Sequence, residues 1–156
     1  MNQMRRKDKE KELSFAMQVL DEAEYGVLAM VEKGDSPYAI PLSFVRFEQK
    51  LYIHGATEGK KLNIIKENPK VCFTCVSYTK LIGEKFTTDY KSVVLFGKAA
   101  VVTDEKERHF ALMAIAKKYS PQYLSEAEDY IERFNTKTTL IVINIKEVTA
   151  KGQITK

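Results

Sequence analysis

The chain's 156 residues suit one domain, residues 1–156, able to bury about 68–70% of the surface that the unfolded chain exposes. Apolar residues at 44% and charged residues at 29% exclude wholesale disorder, and no apolar run approaches the roughly 20 residues that a membrane-spanning helix needs. The net charge of +4, from 25 Lys and Arg against 21 Asp and Glu, is spread along the chain, which suits a local anion site better than a nucleic-acid groove.

Residues 1–12 (MNQMRRKDKEKE) read as a charged, frayed lead-in. No apolar stretch follows its basic residues, so a secretory leader is not expected and the cytoplasm is the expected location. Phe15, Ala16, Val19, Leu20 and Ala23 recur at helical spacing and predict a helix from Ser14 to about Ala23. YGVLAMV (25–31) is a bulky run suited to a buried strand, and Lys33-Gly34-Asp35-Ser36-Pro37 punctuates it as a turn. YAIPLSFVRF (38–47) is β-rich, with Pro41 marking an edge or a bulge because it cannot donate to a ladder. Glu48-Gln49-Lys50 connects it tightly to LYIHGA (51–56). Three strands with such short links predict antiparallel pairing.

A helix follows, with Thr57 as the expected N-cap, Leu62 and Ile65 on one face, and Asn68-Pro69 as its stop. KVCFTCVSY (70–78) is a further strand, TKLIGEKFTTD (79–89) a polar and less regular stretch, and YKSVVLFGKAAVV (90–102) a long strand in which Gly97 predicts a bulge or a close backbone approach. A helix over 104–119 carries Leu112, Ile115, Ala116 and Tyr119 on one face. A shorter helix over 125–134 follows the break at Pro121, and TTLIVINIKEVTAKG (138–152) closes the chain as a long strand. About six strands, mostly antiparallel, with a few helices predict a mainly β fold, a closed β-barrel decorated by helices; a parallel sheet would need a crossover between nearly every strand pair.

Cys72 and Cys75 form a CxxC without a second pair or nearby histidines. On a strand, residues three apart face opposite ways, so both read as small core residues, and no metal site is expected. His109 reads as surface. GxGxxG and Walker patterns are absent, and no Ser, Cys or Asp partner lies at a spacing recognisable for a nucleophilic triad. The informative stretch is Tyr52–Leu62, where a strand ends in small residues, a helix begins, and Lys60 and Lys61 fall in its first turn. Cations there oppose the helix dipole by roughly 0.3–1 kcal/mol each. An anion reverses that sign by joining the free N–H groups and both ammonium groups, and Gly55, Ala56 and Gly59 leave it room. A solvated helix start with outward lysines fits the same spacing.

The blocks EYGVLAM (24–30), YAIPLSFVRF (38–47), LYIHGATEGKKLNIIKENPKVCFTC (51–75), FTTDYKSVVLFGKAAVV (86–102) and LIVINIKEVTAKG (140–152), in this order, resemble the pyridoxamine 5'-phosphate oxidase-like split-barrel flavoproteins, and among them the nitroimidazole-resistance branch. The resemblance implies a six-stranded antiparallel FMN-binding split barrel and a homodimer with one FMN in each of two interface clefts. Leu42, Ser43, Phe44 and Val45 resemble the strand whose backbone lines the flavin ring, and Ile53, His54, Gly55 and Ala56 the segment beside the ring and ribityl chain. Lys60 and Lys61 resemble the phosphate end, Lys61 above all, since a lysine heading this helix recurs in the family. Tyr90, Ser92 and Val93 resemble the segment that reaches the flavin from the partner subunit.

The sequence departs from the pattern at Lys60, where close relatives often carry His, and at Ile64, where wider split barrels carry Asn. It also ends at Lys156 without the C-terminal substrate segment of true pyridoxamine phosphate oxidases, so the resemblance does not extend to that particular reaction. Electrons would pass from a reduced nicotinamide nucleotide or another donor to a small flat acceptor such as a nitroaromatic, with His54 as the candidate proton donor. The alternative is a non-catalytic stress-response module that holds flavin, or haem through His54, in the same cleft.

Overall fold

The computed structural model describes residues 3–156. Its elements, in chain order, are β1 (Glu10–Lys11), α1 (Leu13–Glu22), β2 (Gly26–Val31), β3 (Pro37–Leu42), β4 (Val45–Phe47), β5 (Lys50–Gly55), α2 (Lys60–Glu67), β6 (Lys70–Ile82), β7 (Thr87–Val101), α3 (Glu105–Tyr119), α4 (Leu124–Phe134) and β8 (Thr139–Gln153). All strand pairs are antiparallel, in the order β3-β2-β6-β7-β8-β5-β4, with β1 added alongside β8. Eight strands therefore stand where about six are predicted. The difference comes from the two-residue β1 and from the division of 38–47 into β3 and β4.

That division makes the barrel split. β3 pairs only with β2, and β4 only with β5, so the two edges of the sheet are joined by Ser43-Phe44 and not by a ladder. The closed hydrogen-bonded barrel predicted from the strand pattern is thus open at one seam. A side chain ties the connecting residues to the start of β2: the Tyr119 hydroxyl, from the last turn of α3, accepts the Phe44 N–H at 2.9 Å and donates to the Glu24 carbonyl at 2.6 Å.

Three other expectations are corrected. The lead-in is not frayed where it is described: Lys7–Lys9 form a 3-10 turn, and Glu10 and Lys11 pair with Lys151 and Ala150. The stretch 79–89 is not irregular but forms the outer arms of the β6–β7 hairpin, with a 3-10 turn at Gly83–Lys85 and Phe86 in the left-handed region. The helix after β5 starts at Gly59 (φ 143°), with no side-chain cap, so Thr57 lies outside it; that backbone angle is open to glycine and strained for other residues. Gly97 meets both halves of its prediction. The β7–β8 register shifts beside it, and a Cβ there would lie 2.3 Å from the Asn144 carbonyl oxygen.

Alternation along the strands sets two cores. Leu28 and Met30 of β2, Leu51 and Ile53 of β5, Phe73 and Cys75 of β6, Val93 and Leu95 of β7, and Ile141 and Ile143 of β8 fill the barrel beneath α1 and α2. Phe44 and Phe73 meet edge to face at 4.8 Å at its centre. The intervening residues Val45, Tyr52, Leu140 and Val142 face outward and are covered by α3 and α4 through Ala111, Leu112, Ile115 and Ile131. His54 continues the Tyr52 face and so emerges beside these helices.

Candidate functional site

The end of β5 and the start of α2 bring the main candidates together. The Gly59 carbonyl accepts from Leu62 N–H at 3.2 Å and Asn63 N–H at 3.3 Å, so the N–H groups of Lys60 and Lys61 lie ahead of the first intrahelical bonds. Lys61 is half-buried and folds back over the strand end: a Cβ on Gly55 would lie 2.9 Å from its Nζ and 3.2 Å from its Cε. Gly55 is therefore a cradle, its missing side chain replaced by an ammonium group. Lys61 has no ion pair among the described residues.

Lys60 diverges from it. Its Nζ lies 3.1 Å from a Glu32 carboxylate oxygen and 4.5 Å from the centroid of the Tyr38 ring. Of the two expected cations, one is thus neutralised within the chain and the other stands over the strand end. Ala56, just after the strand end, is exposed.

His54 is solvent-accessible, yet burial on its protein side, followed by repulsion from Lys61, holds its imidazolium below the ordinary value of 6.5. The shift favours the uncharged ring, a hydrogen-bonding group. It lines a groove of about 530 Å³ with Ser43, Tyr119 and the facing sides of α3 and α4.

The strand-edge candidates divide sharply. Phe44 and Ile53 are fully buried, and Val45 lies in the outer core. The Phe44 N–H and carbonyl both lie 2.9 Å from the Tyr119 hydroxyl, so its backbone is engaged within the chain. Leu42 pairs with Gly26 and Val45 with Tyr52, which leaves Ser43 in neither ladder. On β7 the Val93 side chain is in the barrel core, whereas Ser92 lines a separate groove of about 590 Å³ with Val94, Phe96 and Lys151, and Tyr90 pairs with Gln153. One chain alone does not bring Tyr90, Ser92 and Val93 to His54 and Ser43.

Tyr119 is the residue that sequence reasoning placed on a helix face without seeing its partners. Lys118, which no sequence pattern singles out, also reaches the seam region. Its Nζ lies 4.0 Å over the Phe44 ring and donates to the Leu20 carbonyl at 3.4 Å, and burial lowers its pKa. The cysteines diverge as expected, Cys75 into the core, where burial pushes its thiol up to about 11, and Cys72 half-buried. Among the described residues no cluster of three or more His, Cys, Asp or Glu is arranged to hold a metal, and no helix is long and apolar enough to cross a membrane.

The sequence profile of the pyridoxamine 5'-phosphate oxidase family matches residues 14–152. The chain belongs to the pyridoxamine 5'-phosphate oxidase-like family. Curated proteins give no match. Solved structures with the same fold include a candidate 5-nitroimidazole antibiotic resistance protein from Bacteroides thetaiotaomicron (19% identity, TM-score 0.72, 90% of this chain and 84% of that one). The flavocytochrome Anf3 from Azotobacter vinelandii is 19% identical, with a TM-score of 0.80 over 99% of this chain and 73% of its own. The FAD and haem binding protein from Mycobacterium smegmatis is 21% identical, with a TM-score of 0.81 over 94% of this chain and 74% of its own. At these identities the likeness establishes the split-barrel fold of this family member, with its seam at Ser43-Phe44.

Proposed function

We propose that this member of the family is a flavin-binding protein, specifically an FMN-dependent oxidoreductase that passes electrons from a reduced nicotinamide nucleotide or another donor to a small flat acceptor. The observation that carries this reading is the Lys61 ammonium held over Gly55, beside the leading N–H groups of α2. These are the donors that a phosphate needs, and no carboxylate pairs with Lys61 among the described residues. FMN fits the cradle: Lys61 with the Lys60 and Lys61 N–H groups would hold its phosphate, Ser43 and Gly55 would border its ring and chain, and a neutral His54 would serve as a hydrogen-bond partner. The flavin itself supplies the electron chemistry. The chain's work is to bind, orient and exclude water.

The reading includes a cytoplasmic homodimer. Val76, Val94 and Phe96 are neighbours on one outward sheet face, with half of the Val76 and Phe96 surfaces exposed, and a second copy is the natural cover for such a face. Ser92 lies on that same face, so pairing would carry Ser92 and Tyr90 toward the partner's cleft. The decisive experiment is the absorption spectrum of the purified protein incubated with FMN, followed by anaerobic titration with a reduced nicotinamide nucleotide and then a nitroimidazole. Bleaching and recovery of the flavin bands support the reading. Bound FMN that performs neither half-reaction leaves a flavin-holding module, and a Soret band in place of flavin bands favours haem held by His54.

A further inference from the structure

We propose that the groove between α3 and α4 is a binding site for a flat, uncharged aromatic molecule of one or two fused rings, and that this molecule is the acceptor of the reaction; only the second half rests on the flavin reading above. The groove encloses about 530 Å³, within the range of small-molecule sites. Two alanines, Ala116 on α3 and Ala127 on α4, are among its lining, and larger side chains there would fill it. Its rim carries Tyr123 and Tyr130, 65% and 59% exposed, whose hydroxyls bond to no protein group among the described residues. Tyr130 is braced by Phe134, with ring centroids 4.5 Å apart, so it presents a supported aromatic surface. Exposed and braced aromatic rings at the mouth of an apolar groove suit a planar ring that stacks or meets them edge to face.

The polar groups define the charge of the occupant. Glu126 is the one ionic side chain lining the groove, and neither Lys nor Arg lines it. A phosphate or carboxylate would meet a carboxylate and no cation, which excludes nucleotides and aromatic acids. Ser43 and His54 also line the groove, and His54 precedes Gly55 on β5. A ring held here would therefore reach the seam between β3 and β4 with its polar substituent facing a hydroxyl and an imidazole.

The test is calorimetric titration of the purified protein, with the flavin it carries, using 2-naphthol and its anionic counterpart 2-naphthoate. Saturable binding of 2-naphthol, with 2-naphthoate at least tenfold weaker, is expected. Tyr130→Ala, an exposed position, should weaken 2-naphthol about two- to tenfold. Ala116→Leu should abolish binding while flavin absorbance is retained. The proposal is overturned if 2-naphthol does not saturate the wild-type protein, as when a second copy covers the groove, or if both substitutions leave its affinity unchanged. It is also overturned if Ala116→Leu expels flavin together with 2-naphthol, because the groove then belongs to the flavin ring. A protein that binds 2-naphthol in this pattern but takes up no FMN keeps the groove and loses the flavin reading.

Discussion

Gly55→Ala isolates the position of the Lys61 ammonium from its presence. The new Cβ would lie 2.9 Å from Nζ, closer than real Cβ contacts come, and a tight 3.2 Å from Cε, so something must move. What moves is the far end of a flexible side chain and not backbone, and Gly55 keeps its pairing with Thr139 in the β5–β8 ladder. The fold should therefore survive, with stability unchanged or raised by about 0.4–1 kcal/mol through the lost freedom of the unfolded chain. A hydrogen bond to a charged group is worth about 1.5–3 kcal/mol, so Lys61→Ala should weaken FMN binding by about 10- to 150-fold. In Gly55→Ala the ammonium stays tethered nearby, and a loss of about three- to tenfold is expected. Lys60 is held by Glu32 and Tyr38, so Lys60→Ala should change affinity by less than about twofold, consistent with the small worth of exposed charge pairs. The assay is quenching of FMN fluorescence at low and moderate salt, with thermal unfolding of the same samples. The reasoning is refuted if Lys60→Ala costs more than Lys61→Ala, or if Gly55→Ala binds FMN as the wild type does.

Three further outcomes test the seam, the bulge and the imidazole. Tyr119→Phe keeps the ring but leaves the Phe44 N–H without its acceptor, and should cost about 1–3 kcal/mol, read as a lower urea midpoint at unchanged slope with faster exchange of the Phe44 amide. Gly97→Ala drives a Cβ to 2.3 Å from the Asn144 carbonyl oxygen, a rigid backbone atom, and should destabilise by about 1–3 kcal/mol in the same assay. His54 should titrate below 6.5 by NMR, and both Lys61→Ala and added inorganic phosphate should move its midpoint upward by removing or screening the neighbouring charge. Because the unfolded chain takes up that proton first, the contribution of His54 to stability is complete above 6.5 and is lost as the pH falls from there through the folded value. A midpoint at or above 6.5 refutes the partial burial of this ring.

The parts of the fold that were legible in the sequence are those whose pattern is set by one buried face. Leu51 and Ile53 facing the barrel with Tyr52 facing α3, and Ala16, Val19 and Leu20 beneath α1, follow from periods of 2 and 3.6 residues because each face meets a different environment. The hairpin arms over 79–89 carry no such signal, since most of their residues see solvent and no alternation is enforced. β1 is specified by its partner: two charged residues become a strand because Ala150 and Lys151 offer an edge. In the same way, the continuous β-rich run over 38–47 conceals the break at Ser43-Phe44, which exists because its two halves pair with different strands.

The candidate site was legible to the same degree and for the same reason. A strand end, small residues and two lysines are local, so the sequence could propose an anion cradle. The directions of those lysines depend on Glu32, 28 positions before Lys60, and on the absence of a side chain at Gly55. The seam depends on Tyr119, 75 positions beyond Phe44, and nothing in the Leu112, Ile115, Ala116, Tyr119 stripe distinguishes a residue that packs from one that bridges. The same stripe shapes the aromatic groove, so α3 joins the seam of the barrel to the wall of the pocket. A change in how Tyr119 holds Phe44 would then be felt at Ser43, the one residue between β3 and β4 that lies in neither ladder and that lines the groove. On this geometry Tyr119→Phe should alter 2-naphthol binding as well as stability, whereas Gly97→Ala, at the β7–β8 bulge, should alter stability alone.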